Sequence, residues 1–174
     1  MFLFHNDKKS ETLRRELYQL HYKRIYNTCL RIVGNPLDAE ETMQDVFLKL
    51  FDNLEKLKNE KAFYSWSRTI AMRMSIDRMR KSKPIFEQID DNLSIADEEE
   101  TDYELQLSVE TIQQELNNLP DGYRIILSMR LFDECEFKKI AEMLQINEST
   151  VRSQYVRGRK KLVYNLKKKL IENE

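Results

Sequence analysis

Apolar residues recur at intervals of three and four along most of this chain, and only three glycines and three prolines punctuate its 174 residues. Such spacing keeps one face of a helix inward, and the scarcity of turn formers leaves little room for the strand-and-turn rhythm of an all-β fold. Leu, Glu, Lys, Arg and Met, all good helix formers, fill the intervals. The sequence therefore predicts an all-α protein.

From Ser10, read as an N-cap, the residues Tyr18, Tyr22, Ile25, Cys29 and Ile32 mark one helical face, which Gly34 ends. Asn35-Pro36 makes a turn. Asp38 with Glu41 three residues later predicts a capping box, and Met43, Val46 or Phe47, Leu50, Leu54 and Leu57 continue the stripe along a second helix. After the polar interval Lys58 to Lys61, a third helix is expected with Phe63, Trp66, Ile70 and Met74 inward, stopped by Pro84. Asp77 falls on that apolar face, where an isolated carboxylate is costly, so a cation is expected beside it; Arg31 is one candidate. Three helices of this length close a small bundle, residues 10–84.

The formal charge of −1 conceals a segregation, because residues 85–117 hold 11 carboxylates and no Lys or Arg. Removing those 11 from 30 acids leaves 19 against 29 basic residues, a net of +10 on the two flanks, which suits a polyanionic partner. Like charges should keep residues 85–108 extended, so they are read as a flexible acidic linker between two helical modules.

The second module, residues 109–170, follows the stripe Leu105, Val109, Ile112, Leu116 and Leu119, breaks at Pro120-Asp121-Gly122, and resumes with Ile125, Ile126, Met129 and Leu131. From Phe137 to Leu166 the pattern is helix, short turn, helix: Ile140, Ala141 and Leu144 are apolar, Gln145-Ile146 turns, and Asn147 caps a helix containing Val151, Tyr155 and Leu162, of which Val151 and Leu162 are expected inward. Ser149, Thr150, Arg152 and Ser153 lie in its first turns, and Arg157, Arg159, Lys160 and Lys161 follow. Early side chains of such a helix reach base edges in the major groove while later cations sit near phosphates. The competing interpretation is a basic solvated face.

Other chemistries find no support. Cys29 and Cys135 lie far apart on apolar faces, without the spacing of a metal site or a disulfide framework, which fits a reducing cytoplasm. Met1 to Lys9 holds too short an apolar run for a signal peptide, and no segment approaches the length of a membrane span. His5 and His21 accompany no nucleophile or ligand spacing, so no enzyme activity, metal, cofactor or small-molecule substrate is expected.

Two stretches of the second module, Ile140-Ala141-Glu142-Met143-Leu144 and Thr150-Val151-Arg152-Ser153 with Arg157-Gly158-Arg159-Lys160-Lys161-Leu162, resemble region four of extracytoplasmic-function (ECF) sigma factors, part of the sigma-70-type family. The first module resembles region two of the same family. Asp38-Ala39-Glu40-Glu41 and Gln44 to Leu50 match its polymerase-binding helix, and Phe63 to Trp66, Ile70-Ala71 and Ile76 to Arg80 match its promoter-melting helix. The resemblance implies a non-enzymatic sigma factor with RNA polymerase core, promoter DNA and an anti-sigma factor as partners. It assigns polymerase contacts to Gln44, Asp45 and Leu48, although Asp45 is equally an ordinary solvated carboxylate, and Phe47 and Leu48 are equally compatible with a core. It also assigns contacts with the unwound −10 element to Lys61, Tyr64, Arg68, Arg73 and Arg80, with Tyr64 an exposed stacking aromatic and Trp66 left to the core. Contacts with the duplex −35 element fall to Ser149, Thr150, Arg152, Ser153, Arg157, Arg159 and Lys160. A stand-alone helix-turn-helix regulator is the alternative, and the pattern around Asp45 argues against it.

Three positions depart from the family pattern. Arg73 stands where Asn is common, Gln145 where Gly is common in the turn, and Gln154 where Arg often follows the Ser. Promoter preference is therefore not transferable, and Gln145 is strained if the turn requires a positive φ.

Overall fold

The computed structural model describes residues 7–57, 62–82, 85 and 108–172, and the chain divides into two compact units, Met1–Arg78 and Met79–Glu174. Among the described residues all regular structure is helical. The linker expected over 85–108, Leu105 and Pro84 lie outside the described residues, apart from Ile85 and Ser108.

In the first unit α1 (Asp7–Val33) and α2 (Pro36–Phe51) form a helical hairpin. Gly34 makes the reversal by adopting φ 74°, with its amide bonded to the Leu30 carbonyl at 2.8 Å. That left-handed conformation is what glycine supplies most cheaply at a helix end. The cap of α2 is Asn35, whose side chain accepts from the amides of Leu37 and Asp38 at 2.9 and 3.2 Å, and Pro36 opens the helix where no N–H is needed. The capping box expected at Asp38 is thus replaced. Asp38 and Glu41 turn instead to Arg78 of α3 (Phe63–Ser82), with Asp38 at 2.7 Å. The hydrogen bonds that Arg78 donates to Glu41 and then to Asp38 raise its pKa further, so this tie stays charged.

Other details differ from expectation. Ser10 lies inside α1 rather than at its cap, and α2 ends at Phe51, with Leu54 in a separate 3-10 turn, Leu54–Lys56. The buried face of α3 is also rotated from the one expected. Phe63, Ser67, Ala71, Met72, Ser75 and Ile76 are buried, whereas Trp66, Ile70 and Met74 are only half-buried at its margin. Asp77 consequently lies on the exposed side of the helix, not on its buried face.

The second unit is built around α5 (Asp121–Leu131), which is buried continuously from Asp121 to Met129. Around it lie α4 (Val109–Asn117), α6 (Phe137–Leu144) and the long α7 (Glu148–Glu172). Ser108 caps α4 through the Thr111 amide at 3.2 Å, and Val109, expected inward, is exposed. Leu116, Leu119, Tyr123, Leu127, Leu162 and Leu166 form the core between α4, α5 and α7. The break before α5 is tighter than expected: Pro120 is its N-cap, and Asp121 and Gly122 are already helical. The Asp121 carboxylate accepts from Arg124 at 2.7 Å with both side chains almost fully buried, so removing either would strand a buried charge, at about 3–5 kcal/mol. Gly158 brings α7 close to α5, since a Cβ there would sit 3.0 Å from Tyr123 Cβ.

Candidate nucleic-acid interface

The turn between α6 and α7 decides what the second unit can present. Gln145 ends α6 at φ 55°, ψ 42°, and the Ile146 amide reaches back to the Ala141 carbonyl at 3.1 Å. The positive φ anticipated from the sequence is therefore present, at about 1 kcal/mol against a glycine. Val151, Gln154, Gly158, Leu162 and Leu166, three and four apart, form the inward ridge of α7. Ser149, Arg152, Ser153, Arg157, Arg159 and Lys160 lie on the exposed side, and Thr150 is half-buried. Gln154 is only 9% exposed, so this departure from the family pattern falls on the packed side of the helix.

Arg152 is held rather than free. Its Nη2 and Nε donate to Glu148 Oε1 at 2.6 and 3.0 Å, and its guanidinium lies 4.7 Å from the centroid of Phe137. Arg130 approaches the same ring at 4.9 Å and donates to the Cys135 carbonyl at 3.2 Å. Tyr155 meets Phe137 edge-on at 5.2 Å. Sequence reasoning missed Phe137, Arg130 and Glu148 as part of this surface. The four-residue spacing of Glu148 and Arg152 was a usable signal, whereas nothing local marks Phe137 as the shared ring.

In the first unit, α2 buries Ala39, Met43, Val46, Phe47 and Leu50 and exposes Gln44, Asp45 and Leu48. That settles the alternatives left by the sequence: Phe47 belongs to the core, while Leu48 is 63% exposed beside Asp45. Leu37, at the start of the same helix, is also exposed.

A different chemistry gathers where α3 begins. Tyr64 is half-buried rather than exposed, with Arg24 of α1 at 5.2 Å from its ring centroid and Arg68 at 5.6 Å. The His21 ring lies 5.9 Å away, inclined by 15°, and itself contacts Phe63. Burial, and secondarily the charge of Arg24, hold His21 below the usual imidazole pKa and therefore neutral near pH 7. His21 Nδ1 and Arg68 Nε are buried without a hydrogen-bond partner. Arg73 is exposed further along α3 and Arg80 is half-buried in its last turn, while Lys61 lies outside the described residues. Among the described residues no group of three or more His, Cys, Asp or Glu side chains is placed to hold a metal ion, and no helix is long and apolar enough to cross a membrane. Cys29 and Cys135 are buried free thiols.

Comparisons with known proteins bear on both units. Residues 17–85 match the family model Sigma-70 region 2, and residues 109–162 match Sigma-70, region 4. The ECF RNA polymerase sigma factor SigW of Bacillus subtilis is 31% identical over 161 residues, covering 84% of this chain and 85% of that protein. The RNA polymerase sigma factor SigV of the same organism is 26% identical over 164 residues, 92% of this chain and 97% of that protein. Among solved structures, the sigma factor RpoE from Bartonella quintana, in complex with the anti-sigma factor NepR, shares the fold with a TM-score of 0.58 at 18% identity, over 88% of this chain and 96% of that one. Two matched regions in family order and a relative 31% identical over most of both chains lead to one conclusion: the chain belongs to the ECF group of sigma-70-type RNA polymerase sigma factors, which direct promoter-specific transcription.

Proposed function

We propose that Gln44, Asp45 and Leu48 dock α2 on RNA polymerase core, that Tyr64, Arg68, Arg73 and Arg80 engage the unwound −10 strand, and that α7 reads the −35 duplex through Ser149, Thr150, Arg152, Ser153, Arg157, Arg159 and Lys160. Residues 10–84 then act as region two, 85–108 as the acidic linker and 109–170 as region four. The observation that carries this proposal is the division of labour on α7, where an apolar ridge is packed away and cations and hydroxyls occupy the exposed side. Side chains in the first turns of such a helix specify bases, and cations further along add salt-dependent affinity. The chain supplies no bond-making chemistry of its own; the polymerase performs it, in the cytoplasm, with no membrane insertion and no small-molecule substrate. An anti-sigma factor is a further partner, by analogy with the complex formed by the Bartonella sigma factor.

Run-off transcription with purified core polymerase on a genomic promoter library tests the proposal. The chain should produce a limited set of promoter-specific transcripts, and Asp45→Arg should abolish them through lost core binding while circular dichroism remains unchanged. A parent protein that binds core yet starts no specific transcript would overturn the assignment, and a folded Asp45→Arg variant binding core like the parent would remove α2 from the polymerase contact.

A further inference from the structure

In many strand-binding proteins an aromatic ring is a platform for a base, but the surroundings of Tyr64 point elsewhere. An imidazole and two guanidiniums already lie within 6 Å of its centroid, so a base would have to displace one of them. The guanidiniums carry the chemistry that remains to be satisfied. Among the described residues neither Arg24 nor Arg68 has a carboxylate within ion-pair distance, and Arg68 Nε is a buried donor with no acceptor. Two cations held on one ring repel each other, and burial first, with the charge of Arg24 second, keeps His21 neutral beside them. Arg68 lies one turn after Tyr64, and its side chain runs back toward the beginning of α3, where the helix dipole also favours an anion.

We infer that Arg24 and Arg68, braced by the Tyr64 ring, hold one phosphodiester of the unwound strand, and that Tyr64 is a positioning residue rather than a base platform. This rests on the proposal that the first module engages the −10 strand, and it adds Arg24 of α1 to a surface otherwise assigned to α3. The two guanidinium carbons are at most about 11 Å apart, the sum of 5.2 and 5.6 Å, so one phosphate paired with Arg68 is reached by Arg24 when its side chain turns inward. Arg24 is exposed, so its side chain can turn from the Tyr64 ring to an incoming strand.

The test uses the full chain assembled with polymerase core and a single-stranded deoxyoligonucleotide enriched from a random pool by the parent holoenzyme. One set of probes carries a neutral methylphosphonate at each linkage in turn, the other an abasic nucleotide at each position. A single linkage should weaken parent binding when neutralised and weaken it less in Arg24→Ala, where Arg68 alone holds that phosphate. The salt dependence of Arg24→Ala should be shallower by one phosphate contact, so that raising salt from 50 to 200 mM costs the variant about 2.6-fold less than the parent. Arg24→Lys should keep the parent's salt dependence, Tyr64→Phe should bind as the parent does, and Tyr64→Leu should move toward Arg24→Ala. An abasic position at which the Tyr64→Leu penalty disappears would make Tyr64 a base platform and overturn the inference. So would an Arg24→Ala variant indistinguishable from the parent on every probe, or one weakened in core binding alone. A parent holoenzyme that forms normally but binds no single-stranded probe would instead remove the −10 assignment itself.

Discussion

Both modules hold an aromatic ring against two arginines, Tyr64 with Arg24 and Arg68, and Phe137 with Arg130 and Arg152. They differ in what the cations have besides the ring. In the second module Arg152 donates to Glu148 and Arg130 to the Cys135 carbonyl, so the cluster is electrostatically satisfied and its geometry is fixed before DNA arrives. Among the described residues the first module shows no such oxygen beside Arg24 or Arg68, and its cluster is completed from outside. The same pairing of ring and guanidinium thus serves pre-organisation in one place and anion capture in the other.

The largest effect that would sharpen this contrast is on stability. Phe63 is fully buried and forms the floor beneath His21, so Phe63→Ala should destabilise the first module by about 3–5 kcal/mol, whereas Phe137→Ala, at a half-buried position, should cost less than half as much. Thermal unfolding of the two variants checks it, and equal losses would mean that the two rings are embedded alike. Next is the close approach that brings α5 and α7 to one ring. Gly158→Ala should cost about 1–3 kcal/mol because Tyr123 Cβ is backbone-tethered and cannot move aside, and −35 binding should weaken with it. Unchanged stability would show that α7 can shift without loss.

A smaller effect concerns Glu148. Glu148→Gln leaves Arg152 without its counter-charge, so nonspecific duplex binding should strengthen and its log–log salt slope should steepen by about 0.9, while discrimination between matched and mutated −35 duplexes should fall. Titrations at two salt concentrations separate these outcomes, and an unaltered slope would mean that Arg152 already contacts phosphate despite Glu148. The smallest is a pH effect confined to the first module. His21 has a lowered pKa when folded, so below about 6.5 the unfolded chain takes up a proton that the folded one resists. Stability should be fully present above that pH and decline as pH falls toward the folded value. His21→Phe should flatten the decline, and a parent whose first module unfolds identically at pH 7.5 and 5.5 would contradict it.

Much of this organisation is legible in sequence because it is local. The turn at Gln145, the inward Val151 and Leu162 and the exposed cations of α7 follow from residues within a few positions of one another. The face of α3 was not legible, since its buried stripe contains Ser67, Ala71 and Ser75, whose small side chains carry no hydrophobic signal although they are completely enclosed. Half-buried Trp66, Ile70 and Met74 gave the stronger periodicity and led Asp77 to the wrong side. The cap of α2 was misplaced for a related reason: Asp38 has the right chemistry, but Asn35 lies beside Pro36, which fixes where the helix opens. Tyr64 read as an exposed aromatic because the groups that crowd it, His21 and Arg24, come from 40 residues earlier on another helix.

The unbroken length of α7 gives the second module the mechanics of a lever. Its 25 residues span about 37 Å, and the tight contact of Gly158 with Tyr123 is the natural fulcrum. Arg152 lies about 9 Å to one side of that point, and Lys169, which grips Glu115 of α4 at 3.0 Å, about 16 Å to the other. A rigid rod so pivoted moves Arg152 about half an ångström for each ångström imposed at the far end. A push on the junction of α4 and the end of α7 would therefore be felt at Arg152, the residue proposed to read the −35 duplex.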